Sequence, residues 1–137
     1  MGIWGIRPFE NDSGVDWFTE LEEETSFSQI RRKIEEVVTD DYLEADLVGE
    51  AFASIAIVVA IRANEERLLP DFEKSSLSDL RNLFLQKIDS NVESLIEDAF
   101  SIMRRSEDNE FYELLDEENL VEDWIDYLDA LQEKFNG

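Results

Sequence analysis

Residues 51 to 61 read Ala-Phe-Ala-Ser-Ile-Ala-Ile-Val-Val-Ala-Ile, with Ser54 as the one polar side chain in the run. Wound into a helix, this stretch has no polar face, because the alanines interleave with Phe52, Ile55, Ile57, Val58, Val59 and Ile61 on every side. Such a helix has to be covered by other elements around most of its circumference. It is too short to cross a bilayer, which takes about 17–25 apolar residues. The chain is therefore expected to build itself around one buried helix, running from about Leu43 to Glu66. Leu68, Leu69 and Pro70 are expected to end it, since proline biases the residue before it away from helical geometry.

The flanking segments carry helical periodicity almost throughout, with only two prolines and little strand-like alternation. A first helix is expected from Ser13, with Ser13 and Asp16 arranged as a capping box and Trp17, Phe18 and Leu21 on its apolar face. Ile30, Ile34, Val37 and Val38 form a second stripe after Ser26 or Ser28, broken at Asp40-Asp41. Leu77, Leu80, Phe84 and Ile88 form another, and Val92, Leu95, Ile96, Ala99 and Met103 the next. Phe111, Leu114 and Leu115 follow. Asn119 with Glu122 then suggests a fresh cap ahead of Val121, Trp124, Leu128, Leu131 and Phe135. The expected fold is all-α, six to seven helices around the central apolar one, in a single domain over residues 1–137.

Composition removes several kinds of chemistry. The 137 residues contain no cysteine and no histidine. Disulfides, thiolate metal sites, serine–histidine triads and histidine-based metal centres are all excluded. Thirty-five acidic residues face 12 basic ones, a formal net charge of -23. That sign opposes direct binding of nucleic acid or an anionic membrane and favours a cationic partner. With 43% hydrophobic residues the chain is not an acidic disordered tail. No secretory signal is visible, because only Arg7 is basic before Glu10-Asn11-Asp12 and no apolar segment precedes that run. Ile6 occupies the position where myristoylation needs Ser or Thr. A cytoplasmic protein without membrane contact is expected.

The opening of the chain has an order that composition alone would not produce. Met1-Gly2, Trp4-Gly5, Phe9-Glu10-Asn11-Asp12 and Asp16-Trp17 follow one another within seventeen residues. This pattern resembles the opening of the bacterial domain-of-unknown-function 4259 family. The Ala/Ile/Val-rich segment leading to Leu68-Leu69-Pro70 is similar to that family too, as is Phe111-Tyr112-Glu113-Leu114-Leu115 followed by Trp124. The resemblance covers most of the chain and implies no activity.

Two constellations stand out as candidate sites. In the N-terminal block, one reading is a ligand pocket with Trp4 and Trp17 as aromatic walls, Arg7 as an anion contact, and Asn11 and Asp12 as polar hooks. The structural reading has Trp4, Phe9 and Trp17 packing together over the end of the core. Asn11, Asp12 or Ser13 then caps the helix that Asp16 helps to start. The second constellation is acidic: from Glu107 onward, 12 carboxylates face a single Lys134. Were those residues one helix, they would span about 46 Å at about 1.5 Å each. Glu113, Glu117, Glu122 and Asp126 would then present a charged face to a basic protein, with Tyr112 and Tyr127 as exposed anchors. A solvated helix face is the plainer alternative. Carboxylate pairs such as Glu35-Glu36 and Glu97-Asp98 are too frequent here to mark a glycosidase or a magnesium site. The expectation is a non-enzymatic protein-binding module without cofactor or metal, an immunity-type or inhibitor protein that neutralises a basic effector such as a nuclease toxin. The alternative is a domain that binds a small ligand near the Trp4/Trp17 loop.

Overall fold

The computed structural model describes residues 3–137; Met1 and Gly2, the first pair of the opening motif, lie outside them. Among the described residues the chain forms seven α-helices, α1 (Asp12–Glu23), α2 (Phe27–Thr39), α3 (Ala45–Ala63), α4 (Leu77–Phe84), α5 (Ser90–Met103), α6 (Glu110–Glu117) and α7 (Val121–Asn136). Short 3-10 turns follow α3 and α4. Among the described residues, extended pairing is limited to two isolated bridges, Ile3 with Asn11 and Leu43 with Asn109. The fold is an all-α bundle, as the periodicity requires.

α3 is the axis. Every residue from Ala51 to Ile61 is fully buried, with α1, α2, α4, α6 and α7 packed against it. α5 closes the assembly against α2 and α7. The small side chains of Ala51, Ala53, Ala56 and Ala60 let neighbouring helices approach, and the branched ones between them fill the remaining space. Ser54 is satisfied in the interior by accepting the Trp17 indole N–H at 2.7 Å. This one bond ties α1 to the centre of α3. Phe52 meets Phe111, Trp124 and Tyr127 edge-on, at centroid separations of 6.4, 6.0 and 6.0 Å. These are the favourable arrangements for aromatic quadrupoles.

Two helix ends differ from the sequence expectation, and asparagine causes both. α3 stops at Ala63, before Leu68-Leu69-Pro70, because Asn64 takes a left-handed conformation at φ 55°. The Ala60 carbonyl then accepts the N–H groups of Asn64 and Glu65. Asn119, expected to start α7, instead ends α6 at φ 58°. Its N–H donates to Asp116 and that of Leu120 to Leu115, a Schellman closure. α7 begins at Val121 without a side-chain cap. The acidic C-terminal stretch is therefore two helices joined by a left-handed turn, and no single 46 Å rod forms.

The scarce cations hold helices together. Lys33 pairs with Glu50 at 2.5 Å, Arg62 with Glu93 at 2.8 Å and Arg104 with Asp129 at 2.7 Å. These pairs link α2 to α3, α3 to α5 and α5 to α7. Arg104 also donates to the Phe100 carbonyl. Arg105 serves the carbonyls of Asp41, Glu107 and Asp108, as cations at a helix C-terminus tend to do. The pairs Arg31–Glu35 and Arg32–Glu36 lie on the exposed surface of α2, where such pairs add little.

Candidate functional site

The N-terminal block is a closed loop stitched onto the start of α1. The Trp4 N–H donates to the Glu10 carbonyl at 2.9 Å and the Glu10 N–H to the Arg7 carbonyl at 3.1 Å. Asn11, fully buried, is the cap. Its Oδ1 accepts the Gly14 N–H at 2.7 Å and its Nδ2 donates to the Pro8 carbonyl at 3.2 Å. One side chain thus satisfies a helix-end donor and fixes the loop. The Ser13–Asp16 capping box does not form, because α1 has already started at Asp12. Ser13 instead donates to Asp46 on α3 at 2.7 Å. Gly49 on α3 makes room for this arrangement, since a Cβ there would stand 2.9 Å from Asn11 Oδ1.

The expected aromatic plug is only partly present. Trp17 is buried and Phe9 packs edge-on against Phe18 at 5.4 Å, but Trp4 is 57% exposed. The loop turns that indole outward while Phe9 and Phe18, with Phe72 behind them, close the core. Trp4→Ala is accordingly expected to change stability by less than about 0.5 kcal/mol, the scale of surface substitutions. Trp17→Ala should cost about 3–5 kcal/mol, the range for a buried large aromatic. Paired urea melts test both, and a large loss from Trp4→Ala would contradict the exposed placement.

Trp4 and Trp17 do not wall a common pocket. A hollow of about 600 Å³ opens between the N-terminal loop, the segment after α3 and the outer side of α7. Phe9, Val15, Leu68, Leu69 and Pro70 give it apolar walls, and Tyr127 projects into it from α7. Three cations line it, Arg7, Arg67 and Lys134, with two carboxylates, Glu10 and Glu65. Glu65 accepts from Arg67 at 3.1 Å and from Lys134 at 3.4 Å, and these hydrogen bonds hold its carboxyl below the usual range. Glu10 accepts the Arg7 backbone N–H at 3.1 Å. Burial pushes the Tyr127 phenol up, opposed by the charge of Arg7 and reinforced by that of Glu10. Of the residues expected to form a ligand pocket, Arg7 lines this hollow. Asp12 and Asp16 border a smaller acidic recess with Glu20, Asp46 and Glu50. No set of three or more carboxylates among the described residues is placed to hold a metal ion.

The acidic candidate face divides between two helices. Glu113 and Glu117 are exposed on α6, and Glu122 and Asp126 on α7. The tyrosines expected as exposed anchors are not fully exposed. Tyr112 and Tyr127 are both half-buried and packed on the core, Tyr127 against Phe52. The exposed aromatic of this region is Tyr42, which the sequence did not single out, with 44% of its surface accessible. The bridge beside it explains the placement. The Leu43 N–H donates to the Asp108 carbonyl and the Glu110 N–H to the Leu43 carbonyl, both at 2.8 Å. Asn109 locks the junction. It is buried, caps α6 by accepting the Tyr112 N–H at 3.1 Å, and donates to the carbonyls of Met103 and Arg105, both at 3.0 Å. Tyr42 is thereby set beside the start of α6, where burial and the charges of Glu110, Glu113, Glu44 and Asp108 push its phenol up.

An all-α bundle, acidic outside and capped by a stitched N-terminal loop, is the class of protein these features define. The chain belongs to the family described as Domain of unknown function (DUF4259), whose profile matches residues 2–126. Tyr127 and Lys134, which complete the 600 Å³ hollow, lie just beyond the matched span. No curated protein and no solved structure matches the chain. No helix among the described residues is long and apolar enough to cross a membrane.

Proposed function

We propose that the protein is a non-enzymatic module that binds a basic partner protein through the face around Tyr42 and α6. An immunity-type or inhibitor role against a cationic effector, such as a nuclease toxin, fits this reading. One observation carries it: an exposed tyrosine stands among carboxylates contributed by two distant segments, Glu44 on one side and Asp108, Glu110 and Glu113 on the other. Acidic residues around an aromatic anchor suit a cationic surface, the charges accelerating encounter and the ring slowing escape. The absence of histidine and cysteine supports a binding role over a catalytic one. A cytoplasmic setting belongs to the same reading.

The test is capture from native lysate at about 50 mM salt, followed by association kinetics with the captured protein. Steered association should approach 10⁸ M⁻¹s⁻¹ at low salt and fall steeply as salt rises, on the order-of-magnitude scale for such pairs. Reversing Glu113 and Glu117 should slow association. Reversing Glu35 or Glu65 should matter less, because those carboxylates are already paired with cations. Tyr42→Ala should raise the dissociation rate. Recovery of no basic protein, or association indifferent to the α6 charges, would sink the proposal. A second reading, a small ligand held at the N-terminal end, is favoured by the hollow beside Arg7.

A further inference from the structure

Resting on that second reading, we infer that the hollow between the N-terminal loop and α7 takes a small amphipathic monoanion: a carboxylate carried on an apolar body. The charge balance of the hollow departs from that of the chain. Across the sequence 35 acidic residues outnumber 12 basic ones, yet the hollow is lined by Arg7, Arg67 and Lys134 against Glu10 and Glu65. Both of those carboxylates are already engaged. Glu65 pairs with Arg67 and Lys134, and Glu10 accepts the Arg7 backbone N–H.

The donors left over are the Arg7 guanidinium and the Tyr127 hydroxyl, neither of which has a hydrogen-bond partner among the described residues. Both line the same hollow. Two unpartnered donors beside the apolar walls of Phe9, Val15, Leu68, Leu69 and Pro70 match a ligand with an acceptor head and an apolar body. A volume of about 600 Å³ lies within the range of small-molecule sites, about 300–1,000 Å³. The field of the whole chain, at net charge -23, disfavours a polyanion in this place and leaves room for one negative charge balanced by Arg7. Arginine suits the task, because its planar fork meets a carboxylate in a bidentate geometry.

The experiment titrates the full chain separately with sodium octanoate, octan-1-ol and inorganic phosphate at matched ionic strength. Calorimetry reads affinity, and side-chain NMR of Phe9, Leu68 and Tyr127 reads location. Octanoate should bind and move those three side chains, with an affinity at least about tenfold above octanol, the scale of one charge-assisted hydrogen bond. Arg7→Gln should remove the advantage of octanoate over octanol while leaving the melting temperature unchanged. Octanol binding with the same affinity as octanoate would overturn the inferred charge while the ligand-site reading stands. Phosphate binding without octanoate would overturn the apolar body of the ligand. If no probe moves Phe9, Leu68 or Tyr127, both the inference and the reading beneath it fail.

Discussion

Ala56→Glu is expected to abolish the native fold or bring it to the edge of unfolding. Ala56 is fully buried near the middle of α3, where neighbouring helices cover every side. A glutamate there would either carry an unpaired charge into the interior or force the packed helices apart, and each costs several kcal/mol. A loss of about 4 kcal/mol or more would consume much of the roughly 5–15 kcal/mol that holds a typical domain folded. The control is Ala130→Glu, the same change on the exposed side of α7, which should move stability by no more than about 0.5 kcal/mol. Urea melts followed by far-ultraviolet circular dichroism read both. Equal tolerance of the two substitutions would remove α3 from the centre of the molecule.

Gly14→Ala is expected to destabilise, against the usual sign for this exchange in a helix. Inside an ordinary helix, alanine in place of glycine gains about 1 kcal/mol. At Gly14 the added methyl would stand 2.3 Å from the Pro8 carbonyl oxygen, a backbone atom held by the Asn11 side chain. The loop or the first turn of α1 would have to move, and overpacking of this kind costs about 1–3 kcal/mol. Gly5→Ala supplies the contrast. Its methyl would meet the carboxyl end of Glu10 first, at 2.6 Å, a flexible side-chain end that can move at the cost of its hydrogen bond from the Arg7 N–H. A melting temperature that falls clearly further for Gly14→Ala than for Gly5→Ala would establish that the loop is seated against the helix as described. A rise for Gly14→Ala would show that it is not.

The axis of the fold was readable because an unbroken apolar run leaves a helix only one place to be. The ends of elements were harder to read, for a physical reason. Asparagine serves both as an N-cap, accepting backbone N–H groups, and as a left-handed C-terminal residue. Asn11 and Asn109 take the first role, Asn64 and Asn119 the second, and the letters alone do not distinguish them. Asn11, Asp12 and Ser13 could each cap a helix locally. What selects Asn11 is partly local, the Pro8 carbonyl three residues back that takes its amide, and partly tertiary, the space left by Gly49 on α3. The acidic character of α6 and α7 was plain in the sequence, whereas the exposed tyrosine beside it was not. Tyr42 stands in a short connector, and only the pairing of Leu43 with Asn109 brings it to α6. The hollow was likewise half legible. Arg7 could be named from the motif, but Tyr127 and Lys134 reach it from the far end of the chain.

The junction of Leu43 with Asn109 also makes the acidic face a property of the folded state alone. The Ala45 N–H donates to Glu110 Oε1 across a separation of 65 residues. The cost of closing so long a loop is met only when α3, α5 and α6 are all in place. An unfolded or half-folded chain therefore carries the same charges without the constellation around Tyr42. Any partner that reads Tyr42 together with Glu110 and Glu113 discriminates folded copies from damaged ones. By mass action it would also protect the copies it holds, by about 2.7 kcal/mol at a hundredfold excess over Kd. Occupancy would then be readable as heat resistance.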